Sequence, residues 1–328
     1  MAADIRPFTP DDYGALVALT NRVYEKVITQ EELRWHDENL DPRCRQARWL
    51  AEAEGRVVGA GYYTQYAAFY HPQKFEVVVM VEPEFRRRGI GSALYQQVMA
   101  GLAPLNPIHL SAGARETWPE SLAFLAARSF TEAMRQWDFV LDVTRFDPTP
   151  WAGLMQQVAD QGYVIKSLAE LPDDLANGRK LFDLVVEVRE DVPSTVPRAP
   201  LRFESWIKGA QSPWFYPEGN LVVMKGEEWV GLSTMRRTGE ADLLAVGLTA
   251  VRRAHRGVGL AQALKVRAIQ VAREAGFARI KTTNESNNRP ILAINEKMGF
   301  ERKPAWIFFE RHLSPVAAQS DEQERSLS

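Results

Sequence analysis

Apolar positions along the chain switch repeatedly between a spacing of two and a spacing of three to four, as strands alternating with helices require. Ile5 to Phe8 reads as a strand. Thr9-Pro10-Asp11-Asp12 reads as a helix start, with a cap, a first-turn proline and acids at the positive end. Leu16, Leu19 and Val23 carry that helical face onward, and the polar stretch Thr29 to Arg45 predicts a surface helix or loop. Residues 49–53 and 57–62 predict a hairpin about Glu54-Gly55-Arg56. Glu76 to Val81 and Ile108 to Ser111 predict strands and Pro119 to Arg128 a helix, and a strand at Trp137 to Val143 closes a first domain. Thr144 to Pro150, with two prolines, is the linker.

The second half repeats the pattern. Helix Trp151 to Asp160, strand Tyr163 to Lys166 and helix Leu181 to Val188 come first. Residues 192–200 (VPSTVPRAP) hold no regular structure, and form either a wall over a substrate cleft or a surface connector. Residues 221–223 and 229–233 predict a hairpin about Lys225-Gly226-Glu227. Phe277 to Thr283 predicts a strand, Arg289 to Lys297 a helix stopped by Gly299, and Trp306 to Arg311 the last strand. The resulting division is residues 1–145, residues 146–315 and a polar, disordered tail at 316–328.

One stretch in each half stands out. An apolar run, Leu243 to Val251, feeds a short basic turn, Arg256-Gly257-Val258-Gly259. A helix opens directly after it, with Leu260, Leu264, Ala268 and Val271 on one side and Lys265, Arg267, Arg273 and Glu274 mostly away from that stripe. Strand, glycine turn and helix N-terminus together aim unpaired backbone N–H groups and the positive end of the helix dipole at one point, which suits an anion such as phosphate. The first half holds the same arrangement at Val77 to Leu102, with the turn Arg86-Arg87-Arg88-Gly89-Ile90-Gly91. The two are 170 residues apart (256 − 86), and Gly259, Leu264 and Phe300 fall on Gly89, Leu94 and Phe130 at that offset. A period so long indicates a duplicated domain rather than a solenoid.

No Gly-Lys-Ser/Thr follows either turn, so neither is a P-loop, and no third glycine completes a dinucleotide fingerprint. The pattern Arg/Gln-x-x-Gly-x-Gly/Ala fits both, as Arg86 to Gly91 and as Arg256 to Ala261. This resembles the acetyl-coenzyme A loop of the GNAT superfamily of N-acetyltransferases, in a tandem two-domain form. Asn288 and Glu296-Lys297-Met298-Gly299-Phe300 match the family's later signature. The resemblance implies an α/β fold of two tandem domains, each a mixed, mainly antiparallel sheet flanked by helices. It implies acetyl-coenzyme A as co-substrate and a small-molecule amine as acceptor. The pyrophosphate contacts it implies are Arg86, Arg88, Gly89, Ile90, Gly91 and Ser92 in the first half, and Arg256, Gly257, Val258, Gly259, Leu260 and Ala261 in the second. Val81, Thr249, Ala250 and Val251 line the gaps where the thioester lies. Asn288 contacts the coenzyme A arm, or serves as a helix N-cap, or both.

Catalysis is expected in the second half, because Trp118, Leu125 and Ser129 stand in the first where Asn288, Asn295 and Gly299 stand in the second. The first half either binds coenzyme A without catalysing or is a structural pseudo-domain. Asn295 replaces the tyrosine that many members use to protonate the departing thiolate, so an amide with backbone N–H groups and water is expected there. Candidate bases are Glu240, Asp242 and His255. The reading from another class is a non-catalytic acyl-coenzyme A-binding protein.

Composition sets outer limits. A net charge of −2 gives no reason to expect nucleic acid, so the arginine runs are assigned to pyrophosphate. The single cysteine, Cys44, suits a reducing cytosol and forms no internal disulfide. No signal peptide or membrane span is expected, the location is cytoplasmic, and the state monomeric or homodimeric. The five histidines are scattered in sequence, and no metal site is expected.

Overall fold

Local turn chemistry sets most of the elements. Glu54 and Gly55 both take positive φ (53° and 72°), which turns the first hairpin tightly without splaying its strands. Thr29 accepts the Glu32 amide and so starts a helix inside the polar stretch. The computed structural model describes residues 3–24, 27–192, 194 and 197–313. The first half supplies β1 (Asp4–Pro7), α1 (Tyr13–Tyr24), α2 (Gln30–Glu38), β2 (Ala47–Ala53), β3 (Arg56–Thr64), β4 (Lys74–Val81), α3 (Ile90–Leu102), β5 (His109–Arg115), α4 (Pro119–Ala126) and β6 (Thr131–Asp142). The second supplies α5 (Ala152–Asp160), β7 (Tyr163–Ser167), α6 (Leu175–Val188), α7 (Phe203–Trp206), β8 (Leu221–Lys225), β9 (Glu228–Arg237), β10 (Leu243–Val251), α8 (Leu260–Glu274), β11 (Arg279–Glu285), α9 (Arg289–Lys297) and β12 (Glu301–His312).

The two halves share one sheet of twelve strands, in the order β1-β2-β3-β4-β5-β12-β6-β11-β10-β9-β8-β7. Each half's last strand is exchanged. The second half's β12 lies beside β5, and the first half's β6 lies between β12 and β11. The strand expected to close the first domain at Trp137 to Val143 therefore runs instead from Thr131 to Asp142 and closes the second. Pairing is antiparallel throughout except for β4 with β5 and β10 with β11. The expected linker is partly core: Phe146 and Trp151 are buried with α8 and β11 in the second half's main cluster. Lys265 also departs from expectation. It is buried on α8, its ammonium over the Phe300 ring at 5.3 Å, and burial pushes its pKa down to about 8. Residues 193, 195 and 196 of the proline-rich loop, and the tail, lie outside the described residues. No helix among the described residues is long and apolar enough to cross a membrane.

The helices cover both faces. Strand alternation in β4 sends Phe75, Val77 and Val79 toward α3, where Tyr95 and Val98 pack on them. It sends Glu76, Val78 and Met80 the other way, toward Leu16 and Leu19 of α1 and the cavity beneath it. What opens the sheet for a ligand is the parallel pairing. β4 is paired with β5 only over Lys74 to Glu76, and β10 with β11 only over Leu243 to Val246. Beyond those points the strands part, and each glycine turn stands at the far end of its parted strand.

Candidate active site

The two glycine turns have the same backbone. Gly89 and Gly259 precede their helices with φ of 83° and 88°, and Arg87 and Gly257 both take positive φ (63° and 85°). Arg87 thus holds a conformation that disfavours a side chain, where the second copy has glycine. In both turns the first arginine folds back on its strand. Arg86 Nε donates to the Val81 carbonyl at 3.2 Å, and Arg256 Nε to that of Val251 at 2.9 Å. The helix amides that follow, from Ile90 and from Leu260, have no intrahelical acceptor and point out of the helix start. Both turns anticipated from sequence are present, each with the backbone geometry an anion cradle requires.

Their surroundings differ. In the second half Asp191 sits on the cradle, with its carboxylate paired to both Arg253 and Arg256. Those two arginines hold it well down, to about 2. Helix α5, which has no counterpart in the first half, lies against the turn: a Cβ on Gly259 would meet Leu154 Cδ1 at 2.4 Å. In the first half the space beyond Gly89 is open. The nearest acids to its arginines are Glu120, 3.9 Å from Arg86, and Glu54, 4.0 Å from Arg88. A further cation joins this turn: Arg128, at the end of α4, stacks on Phe124 at 3.5 Å and donates to Ser92 Oγ at 2.9 Å. Nothing in the sequence pattern ties Arg128 to a turn 36 residues earlier; the fold of α4 onto α3 does.

On the other face of the sheet, beneath α1 and α2, lies a cavity of about 740 Å³. Its floor crosses β4, β5, β12, β6 and β11, so the strand exchange makes it a joint product of both halves. Trp306 lies flat across β5 because position 113 is glycine; a Cβ there would sit 2.2 Å from the indole nitrogen. Tyr24 packs on Trp306 and Trp118, at 5.9 and 5.6 Å. Most charges in the cavity wall are already paired, Arg48 with Asp37 and Arg115 with Asp138. Glu76 is not. Among the described residues none hydrogen-bonds its carboxylate, and burial pushes its pKa up to about 7. Tyr24, Tyr62 and Tyr66 lie near enough to feel its charge, and burial raises their pKa values as well, so they stay protonated. Glu76 stands at the last paired position of β4, where β4 and β5 part, five residues (~16 Å) before the strand end that leads into the cradle. The sequence signal for it was present, a lone acid inside the apolar strand KFEVVVMV.

The catalytic candidates drawn from the sequence are not brought together. Asp242 and Glu240 both bind Arg279 at the start of β10, the opposite end from the glycine turn. His255 Nδ1 is 3.0 Å from the Tyr163 hydroxyl, in a contact with the strand β7 at the sheet's edge. Asn295 is 0% exposed, its Nδ2 donating to Asn284 Oδ1 at 2.7 Å. Asn288 does occupy the N-cap position of α9, without a side-chain cap bond. Thr249 is bonded to Ser233 at 3.0 Å across β9 and β10, while Leu248 and Ala250 pack on Leu184, Val185 and Val188. The burial of Asn295 makes it a structural residue. Asn295→Ala leaves the Asn284 acceptor without its donor, so it should lower stability by about 1–3 kcal/mol in denaturant unfolding and leave turnover of the folded enzyme within threefold.

Comparison with known proteins agrees with this geometry. The family model "Acetyltransferase (GNAT) family" matches residues 16–106 and 185–300. A mycothiol acetyltransferase of Catenulispora acidiphila is 24% identical over 274 residues, 80% of each chain. A mycothiol acetyltransferase of Brachybacterium faecium is 28% identical over 228 residues, 68% of this chain and 63% of that protein. Among solved structures, a tandem GNAT protein from the clavulanic acid biosynthesis pathway superposes with a TM-score of 0.74 at 20% identity, over 96% of this chain and 99% of that one. A GCN5-related N-acetyltransferase from Sphaerobacter thermophilus does so with a TM-score of 0.73 at 20% identity, over 95% and 96%. Two cradles on two parted strands, each inside a region matched by the same family model, make this chain a tandem-domain member of the GNAT acetyltransferase family.

Proposed function

We propose that this acyltransferase moves an acetyl group from acetyl-coenzyme A to the amine of a small molecule, and that the chemistry takes place in the first half. The observation that carries the reading is Glu76: an unpaired, partly buried carboxylate at the fork of β4 and β5, facing a cavity of small-molecule size. The name shared by the two mycothiol acetyltransferase relatives supports acetyl as the group transferred.

The residues divide the work as follows. The cradle at Arg86 to Gly91, with Arg128 beside it, holds the pyrophosphate, and the arm runs along parted β4 toward Glu76. An acceptor ammonium enters the cavity and meets Glu76, the acid there without a cationic partner. Glu76 takes its proton, and the neutral amine attacks the thioester carbonyl. Amides on the β5 side of β4 beyond Glu76 have no strand partner there and are placed to stabilise the oxyanion. As the carbon–sulfur bond breaks, the attacking nitrogen gives up its second proton and the departing thiolate takes one up, relayed through a neighbouring phenol or water.

The signature at Asn288 to Phe300 favours the second half instead. Against that reading, β10 has the sequence LLAVGLTAV and offers no ionisable group at its fork. The test of the activity is release of coenzyme A thiol with acetyl-coenzyme A and a panel of small primary amines. Release above the hydrolysis background with at least one amine is expected. Background release across amino sugars, amino acids and polyamines overturns the proposal.

A further inference from the structure

Two of the five histidines that look scattered in sequence come together in the fold. His109 on β5 and His312 on β12 are directly opposed across the antiparallel pair, and Glu310 is two residues from His312 on the same face of β12. His109 Nε2 lies 3.3 Å from Glu310 Oε2, and His312 Nε2 lies 3.5 Å from Glu310 Oε1. The three ligand atoms all lie within 4.8 Å of one another. A tetrahedral zinc ion with bonds near 2.0–2.1 Å needs ligand atoms about 3.3 Å apart. Each imidazole reaches a different oxygen of Glu310, and a small shift of the exposed His312 side chain within that 4.8 Å spread brings all three residues onto one ion.

We propose that His109, Glu310 and His312 bind one zinc ion, which pins the exchanged last strand of the second half to β5 of the first. Two imidazoles with one carboxylate are the donor set of zinc and its borderline neighbours rather than of magnesium or calcium, which take oxygen ligands. His109 is 4% exposed and fixed in the sheet, while the His312 side chain is 74% exposed and free to swing the short distance that closes the site. The fourth position faces solvent and takes water. The site is separate from the proposed base: Glu76 is level with Glu310 but two strands away, roughly 10 Å. Lys74, opposite His109 on β4, is the cation nearest the site on that side and tempers its affinity.

The position gives the ion a function. β12 is contributed from the far end of the chain, and its hydrogen bonds to β5 are what join the two halves on that side. An ion held by both strands favours the exchanged arrangement over any opened form, because the three ligands converge only there. This inference stands apart from the site of acetyl transfer and from its donor.

The test uses the full chain without a purification tag, stripped of metal and titrated with Zn²⁺ by calorimetry. One site of micromolar affinity is expected. In His312→Ala, whose fold is checked by circular dichroism, the affinity should fall by more than about tenfold. Saturating zinc should raise the melting temperature of the wild type by several degrees and leave that of the variant unchanged. Co²⁺ should give the intense visible absorption of a tetrahedral site in the wild type alone. The absence of stoichiometric zinc binding, or equal affinity in His312→Ala, overturns the proposal.

Discussion

Replacing Glu76 with glutamine will lower turnover by ~10²–10⁴-fold while making the protein more stable at neutral pH and above. Both halves of that result follow from one feature. The carboxyl is partly buried in the cavity wall with no hydrogen-bond donor or ion-pair partner among the described residues, and its pKa is raised from 4.5 to about 7. The folded-state value lies above the unfolded one, so the fold favours the protonated form. That favourable contribution is complete below about pH 4.5 and is lost as pH rises through 7. At pH 8 the native state therefore carries a charge it solvates poorly. Glutamine removes the charge with little change of shape, for a gain on the order of 1–3 kcal/mol that shrinks toward zero at pH 5. Activity runs in the opposite sense. The base must be ionised to accept the amine's proton, so kcat/KM of the wild type rises with pH through about 7, and the variant lacks that limb. Coenzyme affinity should not change. Turnover within threefold of the wild type, or an unchanged acid limb, would remove Glu76 from the chemistry. A stability loss instead of a gain would show that its burial is compensated by contacts not seen in the fold.

The contrast between Glu76 and Asn295 marks where sequence reasoning succeeds and where it stops. The glycine turns were legible because the whole feature is local: a strand, a turn that needs positive φ, and a helix start within some twenty residues. The hairpins and caps were legible for the same reason. Asn295 was singled out by its place in a motif, but whether a side chain meets a ligand or a neighbour is decided by packing. Here α9 turns it onto Asn284, eleven residues back on β11. Glu76 was visible as an acid among valines, yet its significance comes from α1 and α2, which roof it, and from the parting of β5, none of which the strand encodes alone. Strand exchange is the extreme case. An alternating strand is equally satisfied beside either half, so β6 and β12 read the same whichever way they pair. With the exchange went the joint floor of the cavity and the convergence of His109 with His312. The second half's Asp191 was likewise hidden, since its pairing with Arg253 and Arg256 spans more than sixty residues.

Coenzyme A will bind to one tight site per chain, in the first half, and charge reversal will identify it. Arg86→Glu should weaken calorimetric binding by about 10–100-fold, since a hydrogen bond to a charged group is worth ~1.5–3 kcal/mol and the new carboxylate repels the pyrophosphate besides. Arg256→Glu should leave the tight site intact, because that arginine is already engaged by Asp191 and Val251. The same reasoning predicts what unmasks the second cradle. Asp191→Ala frees Arg253 and Arg256 together, restoring two positive charges to a turn whose amides are otherwise arranged like those of the first. A second, weaker site should then appear, still limited by Leu154 of α5 against Gly259. Gly259 is a poor position to probe, because any side chain there meets Leu154 and a positive φ at once, so folding and binding fail together. Gly91→Ala is a milder probe in the first half, at the position where the second half already carries Ala261. A Cβ there makes only ordinary contacts, 3.5 Å from Phe124 at the nearest, so folding and binding should both survive. If Arg256→Glu abolishes the tight site while Arg86→Glu keeps it, the coenzyme belongs to the second half. Asp191 would then be a group that the pyrophosphate displaces, and the acetyl transfer assigned to Glu76 would lose its donor.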